Sequence, residues 1–260
     1  MTQANTQEPP LAVHPNDHFL VLLDLAYQYE SGVVVGTTPI RSALYAAGTD
    51  VIRPSMLLAM IDRMSGEVTG RPAGPTLDMR LQVLRPAPTQ GRLDLVVRPL
   101  RIGKRIVVSE GVVADESGQE IARALTTFMN IDSSHSQSPA PAPMAEASFD
   151  EMVPVTVRDE STLELVPGER LTNGPAIGTV YGGVQSLFAE LCAQHAFGEG
   201  RPMVAIDIEV RFLTALREWP MVARAERLPD DRGAVRCHVA ITNASGERLV
   251  THVALTMVPA

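Results

Sequence analysis

The chain has 260 residues, 45% of them hydrophobic and 20% charged, which supplies enough apolar material for two ordinary cores. Its formal net charge of -8 argues against nucleic-acid binding through a basic surface, and nowhere do about 18 apolar residues run together as a membrane span requires. Cys192 and Cys237 are the only cysteines, too few for a disulfide framework or a zinc site, so core thiols in a reducing cytoplasm are expected.

Residues 1–15 lack the basic start and apolar core of a secretion signal and are expected to form a disordered tail. Next, "YQYESGVVVG" (27–36) reads as two short strands around a turn, and a largely apolar stretch at about 55–66 reads as a helix. Four strands of period-two alternation follow, at about 76–85, 92–100, 105–115 and 119–130, with Gly103 and Gly118 where hairpin turns need them. "SSHSQSPAPAPMAEASFD" (133–150) is rich in Ser, Pro and Ala without a periodic apolar face, and residues 133–149 are expected to be a linker. Beyond it come a strand pair in "VTVRDESTLELV" (155–166), a helix at about 183–197, and strands at about 204–213, 220–228, 234–243 and 247–258, with turns at Gly233 and Gly246.

The two series are one series repeated. "ADESGQEIARALTTFM" (114–129) aligns with "TNASGERLVTHVALTM" (242–257) at an offset of 128, and "TLDMRLQVLRPA" (76–87) falls on "AIDIEVRFLTA" (205–215) at almost the same offset. The chain therefore reads as a duplicated domain, residues 16–132 and 150–260. A single helix before a run of antiparallel strands is an α+β arrangement in which the sheet must wrap that helix to bury it. Asp78 and Asp207, in matched strand positions, are expected to fix the sheet or its contact with the helix rather than to touch substrate.

Within each apolar helix one acid stands out, because an ionised carboxylate in apolar surroundings is costly unless paired. These acids are Asp62 and Glu190, which the offset of 128 places on each other. Ahead of them lie the helix starts at Ser55 and Gly183, whose free backbone N–H groups and positive dipole can hold an oxyanion. Acid and helix start together suggest an acyl-transfer site.

"TVYGGVQSLFAE" (179–190) resembles the His-Gly-Gly-(six residues)-Asp/Glu signature of hotdog-fold acyl-CoA thioesterases of the phenylacetate-pathway and 4-hydroxybenzoyl-CoA type, and the two halves together resemble a tandem (double) hotdog, each half an antiparallel sheet wrapped around one central helix. The resemblance implies that Gly182, with Gly183, supplies the oxyanion donor and that Glu190 is the catalytic carboxylate, acting as base or nucleophile. It also implies a site at the interface of paired hotdogs, an acyl-CoA substrate and no cofactor or metal, with CoA present only as part of substrate and product. Tyr181 stands where the family has His and is assigned to substrate binding. In half one Pro54 occupies the position of Gly182 and has no N–H to donate. One working centre per chain is therefore expected at Glu190, with Asp62 structural or auxiliary and Gln194 a group that could orient the acid or a water.

The hairpin "RPLRIGKR" (98–105) carries Arg98, Arg101, Lys104 and Arg105, whereas its counterpart in half two carries Asp230 and Asp231. Arg101, Lys104 and Arg105 are expected to hold the phosphates of coenzyme A. His195, near a helix C-terminus, is expected to serve the helix dipole rather than catalysis. No G-x-S-x-G, G-x-G-x-x-G, Walker or H-E-x-x-H sequence is present. The functional alternatives are a non-catalytic acyl-CoA or lipid-binding hotdog protein and a hotdog hydratase-type enzyme. Further assembly into a homo-oligomer is expected from exposed sheet edges.

Overall fold

A computed structural model describes residues 23–69, 74–130, 153–168, 171–172, 179–215, 218–229 and 233–260. The expected tail, the linker and the acidic turn with Asp230 and Asp231 lie outside these residues. Half one consists of β1 (Ala26–Glu30), β2 (Val33–Pro39), α1 (Pro54–Ser65), β3 (Thr76–Val83), β4 (Arg92–Ile102), β5 (Ile106–Asp115) and β6 (Glu120–Met129). Half two repeats the order as β7 (Val155–Asp159), β8 (Thr162–Leu165), α2 (Gly182–Phe197), β9 (Met203–Phe212), β10 (Met221–Arg227), β11 (Val235–Thr242) and β12 (Leu249–Pro259).

All twelve strands form one antiparallel sheet in the order β1-β2-β4-β5-β6-β3-β9-β12-β11-β10-β8-β7. Each half contributes the same order of six, and the halves join where β3 pairs with β9. The repeat carries Arg80 onto Glu209, the residue that Arg80 faces across this ladder. A pseudo-twofold axis therefore passes through that pair and turns the two halves head to tail. On the solvent face of the same ladder Arg80 grips Asp207 through Nε (3.2 Å) and Nη2 (2.7 Å), and Gln82 also reaches Asp207. Asp207 thus ties one half to the other, and Asp78 stands opposite Arg211 at the matching position.

The helices fill the concave side. In α1 ten of the twelve residues are buried, and ten of sixteen in α2, so neither shows the one-sided apolar stripe of a surface helix. Pro54 opens α1 at a position where a missing N–H costs nothing to the helix itself. The α1 C-terminus is fastened to the sheet by a buried chain of hydroxyls in which Thr126 donates to Ser65 (2.9 Å) and Ser109 lies 2.6 Å from Thr126. The amino end of α2 is held to the sheet by Gln185, whose amide donates to the Val180 carbonyl (3.1 Å) and accepts from the Thr251 hydroxyl. Cys192 and Cys237 are buried free thiols, each pushed up to about 12 chiefly by desolvation.

Both strands beside the central ladder are bulged at the same place. Leu77 is an extra residue between Thr76 and Asp78 opposite β6, and Ile206 is an extra residue between Ala205 and Asp207 opposite β12. A bulge re-aims the groups beside it, and here it turns Thr76 and Ala205 toward the helices. Helix and sheet come close at Gly111 of β5, where an added Cβ would lie 2.5 Å from Cγ2 of Ile61. Ile61 is fully buried and stiff at χ1, so it has little room to yield. Gly111→Ala should therefore destabilise the fold by about 1–3 kcal/mol, read as a lower urea midpoint with an unchanged slope.

Candidate active site

Glu190 and Gly182 do not meet. They lie eight residues apart on one straight helix, roughly 12 Å along its axis, and the head-to-tail packing of α1 and α2 gives each a partner from the other half. The expected pairing of Gly182 with Glu190 is therefore corrected to two crossed pairs: Asp62 of α1 with Gly182 of α2, and Glu190 of α2 with the start of α1. The physical reason is the pseudo-twofold axis, which brings the acid of each helix to the amino end of the other.

At the first crossing, a Cβ built on Gly182 would lie 3.1 Å from Oδ2 of Asp62 and 3.0 Å from Cζ of Phe212. A glycine leaves this approach open, whereas a Cβ would require Phe212 or Asp62 to give by a few tenths of an ångström. The first intrahelical bond here runs from the Gln185 N–H to the Tyr181 carbonyl (3.1 Å), so the N–H groups of Gly182 and Gly183 precede the α-helical ladder. The Thr76 hydroxyl donates to Oδ1 of Asp62 (2.7 Å), holding that oxygen and leaving Oδ2 toward Gly182. Burial pushes the Asp62 carboxyl up to about 6 from an ordinary 3.8, against the opposing pull of the Thr76 hydrogen bond and the Arg63 charge. Arg63 bonds Glu67 (2.9 Å) and lies 5.1 Å above the Tyr27 ring. Tyr181 is the N-cap of α2, and burial raises its hydroxyl well above the usual phenol range, so it remains a neutral donor.

The second crossing has a different content. Glu190 is 0% exposed and accepts from two backbone groups, Ser55 N–H at the start of α1 (3.2 Å) and Ala205 N–H at the β9 bulge (3.2 Å). The carboxylate therefore occupies the place at the α1 terminus where an oxyanion would be held. It fixes that helix end to α2 and to the sheet. Gln194 accepts from Nη1 of Arg53 (3.2 Å) on this same side and takes no part in the Asp62 crossing. A ring nitrogen of His195 lies 2.9 Å from the Asp159 carbonyl, a structural contact. Among the described residues no group of three His, Cys, Asp or Glu side chains is arranged to hold a metal.

The basic hairpin joins β4 to β5. Its tip is tied to the end of β6 by Asn130, whose amide donates to the Gly103 carbonyl (2.6 Å) and whose N–H donates to Arg105 (2.8 Å). Thr76 pairs with Phe128 at that same end of β6. Arg101, Lys104 and Arg105 thus lie at the end of the sheet from which Thr76 reaches Asp62, whereas Arg98, farther back, lies 3.9 Å from Glu110.

Sequence reasoning passed over Thr76 and Phe212. The signal for Thr76 was a hydroxyl beside the matched position of Ala205, at the opening of an alternating strand. Phe212 ends β9, and its ring comes against Gly182 within the same half, a contact between residues thirty positions apart that no local pattern marks.

No protein-family model and no curated protein sequence matches the chain. Solved structures do. The tesB protein of Mycobacterium avium subsp. paratuberculosis superposes with a TM-score of 0.67 at 15% identity, over 93% of this chain and 97% of that one. A 12:0-ACP thioesterase of Umbellularia californica gives 0.63 at 10% identity, over 88% and 95%. A conserved protein of Alicyclobacillus acidocaldarius described as having a hot dog fold gives 0.59 at 11% identity, over 90% and 96%. At these identities the likeness establishes the fold, and the chain has the hotdog fold. Its strand order sets two such units of six strands and one helix side by side in a single sheet.

The two acids should separate in stability. Glu190→Gln leaves an amide NH2 facing a backbone donor in the interior and should cost about 1–3 kcal/mol. For Asp62 the folded value lies above the unfolded one, so the folded state holds the proton more tightly and stability is lost as pH rises from about 4 through about 6. Asp62→Asn should consequently be neutral to stabilising at pH 7. Urea titration of both variants at pH 5 and pH 7 checks the contrast.

Proposed function

We propose that this chain is a double-hotdog thioester hydrolase that cleaves acyl-CoA to free acid and CoA, with one competent centre per chain formed by Asp62 and Gly182. The observation that carries this reading is the approach of the Asp62 carboxylate to the amino end of α2 at a glycine where an added Cβ would sit only 3.1 Å from Oδ2. In the reaction the Asp62 carboxylate takes a proton from water as the water oxygen attacks the thioester carbon. The carbonyl oxygen becomes an oxyanion held by the Gly182 N–H at the positive end of α2. The carbon–sulfur bond then breaks, and the thiolate leaves with the proton that Asp62 had taken. A carboxyl at about 6 is suited to this work, because it is ionised at neutral pH yet more basic than a solvated aspartate.

The Gly-Gly and acid spacing supports the phenylacetate-pathway and 4-hydroxybenzoyl-CoA type of site within the wider hotdog class. The proposed roles shift within that pattern: Asp62 takes the catalytic place first expected for Glu190, and Glu190 becomes a cap. Gly183 lies behind Gly182 as a second donor. Tyr181, at the N-cap, borders the substrate. Arg101, Lys104 and Arg105 are proposed to hold the phosphates of CoA, which is supported by their position at the Asp62 end of the sheet. No helix among the described residues is long and apolar enough to cross a membrane.

Two measurements test the centre. With free thiol release as the assay, kcat/KM should rise with pH through about 6 and level off above it, and Asp62→Asn should abolish turnover while Glu190→Gln retains it. A Glu190→Gln chain that folds but is inactive, beside an active Asp62→Asn chain, would sink the proposal.

The oxyanion donor can be isolated because the chain already tolerates proline at the equivalent helix position, Pro54. Tyr181 has φ -55° and ψ 141°, backbone angles compatible with a following proline. Gly182→Pro and Gly182→Ala both introduce a Cβ, but only the proline removes the N–H. The proline variant should have a kcat lower than the alanine variant by on the order of a hundredfold; equal rates would remove Gly182 N–H from the mechanism.

A further inference from the structure

The basic hairpin between β4 and β5 carries more than cations. Among the described residues, four of the exposed large apolar side chains gather there: Leu100, Ile102 and Ile106 in the hairpin and Met129 at the end of β6, each between 39% and 58% exposed. Ile106 and Met129 stand directly opposite each other across the β5–β6 ladder, and Ile102 stands opposite Val107 across β4–β5. Successive strand residues point to opposite faces, so Ile102 lies on one face of this sheet end and the Ile106–Met129 pair on the other. Single exposed aliphatics are ordinary, whereas a group of four at one end of a sheet marks a contact surface. The phosphates of coenzyme A would engage the cations and leave these side chains unexplained.

A second copy of the chain fits this place poorly. Beyond Val97 β4 continues past its pairing with β2 and is paired by β5 alone. That open edge is blunted by Pro99, which has no N–H, and by the bulge at Leu100. A symmetric contact would also set Arg101, Lys104 and Arg105 against their own copies, and among the described residues no ion pair neutralises them; Arg98 alone of the hairpin's cations approaches a carboxylate, Glu110. A single flat protein surface, moreover, covers one face of a strand end and leaves the other in water.

The headgroup layer of an anionic bilayer meets all of these features. It offers phosphates to the cations and acyl carbon to apolar side chains on both faces. The turn has already paired several of its backbone groups, since Gly103 N–H donates to the Ile106 carbonyl (2.9 Å) and Asn130 donates to the carbonyls of Gly103 and Arg105. Leaving water therefore strands fewer polar atoms. The net charge of -8 does not oppose the contact, because at physiological salt a charge is felt over about 8 Å and the lipid meets the local cations.

We infer that the tip of the β4–β5 hairpin is a docking wedge for the surface of an anionic phospholipid bilayer. Leu100, Ile102, Ile106 and Met129 enter between the headgroups, and Arg101, Lys104 and Arg105 lie among the lipid phosphates, the same group they meet on CoA. Docking does not depend on turnover. If the reaction proposed above operates, docking also sets the Asp62 end of the sheet against the phase into which long acyl chains partition, because Met129 adjoins Phe128, the strand partner of Thr76.

The test is co-sedimentation of the full chain with vesicles of phosphatidylglycerol and phosphatidylcholine, and with vesicles of phosphatidylcholine alone. The double variant Leu100→Thr, Ile102→Thr keeps every cation and alters two exposed side chains, so its thermal midpoint should match that of the parent chain. Binding to the anionic vesicles is expected, at least tenfold weaker on phosphatidylcholine and at least tenfold weaker in the double variant. No binding to anionic vesicles would overturn the inference, as would equal binding to neutral ones or binding unchanged in the double variant. A concentration-dependent dimer that the double substitution dissolves, seen by sedimentation velocity without vesicle binding, would assign the tip to a second copy instead. Thiol release from a short, soluble acyl-CoA, measured on the same protein without vesicles, keeps the two readings apart. Thiol release without vesicle binding overturns the docking alone, and vesicle binding without thiol release overturns the hydrolase reading alone.

Discussion

The antiparallel ladder between β3 and β9 is the constraint on which the rest depends. It fuses two small sheets into one and sets their helices side by side and head to tail. That orientation delivers the acid of one helix to the positive end of the other. A carboxylate inside an apolar layer would otherwise be costly. At a helix terminus it finds unpaired N–H groups and a favourable dipole, so packing and electrostatics favour the same arrangement.

Duplication then allowed the two crossings to diverge. At one, glutamate is long enough to reach both Ser55 N–H and the Ala205 N–H freed by the β9 bulge, and both carboxylate oxygens are satisfied. At the other, the shorter aspartate is held on one oxygen by Thr76 and keeps the second toward Gly182. One methylene and one hydroxyl thus separate a carboxylate bonded on both oxygens from one that keeps an oxygen toward a helix end. The bulge exists in both halves, but in one it presents a backbone donor and in the other a side chain.

The same asymmetry runs outward to the surface. On the Asp62 side Arg63 lies over Tyr27, whereas on the Glu190 side Arg53 approaches from the helix cap and faces aliphatic residues. Each side retains one guanidinium, contributed from opposite ends of the helix pair.

Much of the architecture is written locally in the sequence. Alternation marked the eight long strands, two apolar stretches marked the helices, and the recurrence of Gly118 as Gly246 exposed the repeat. These features are legible because strand and helix periodicity are properties of neighbours in the chain. The sequence also singled out Asp62, Glu190, Gly182 and Pro54 as the residues that matter. Which acid faces which helix end was decided by tertiary structure alone. A spacing of eight residues along one helix suggests a partnership, yet a straight helix holds those residues two turns apart, and only the packing of the two halves brings Asp62 to Gly182. The contrast of glycine with proline falls across the two halves: the half that carries Pro54 supplies the acid that faces Gly182, and the half that carries Gly182 supplies Glu190, which bonds the start of α1.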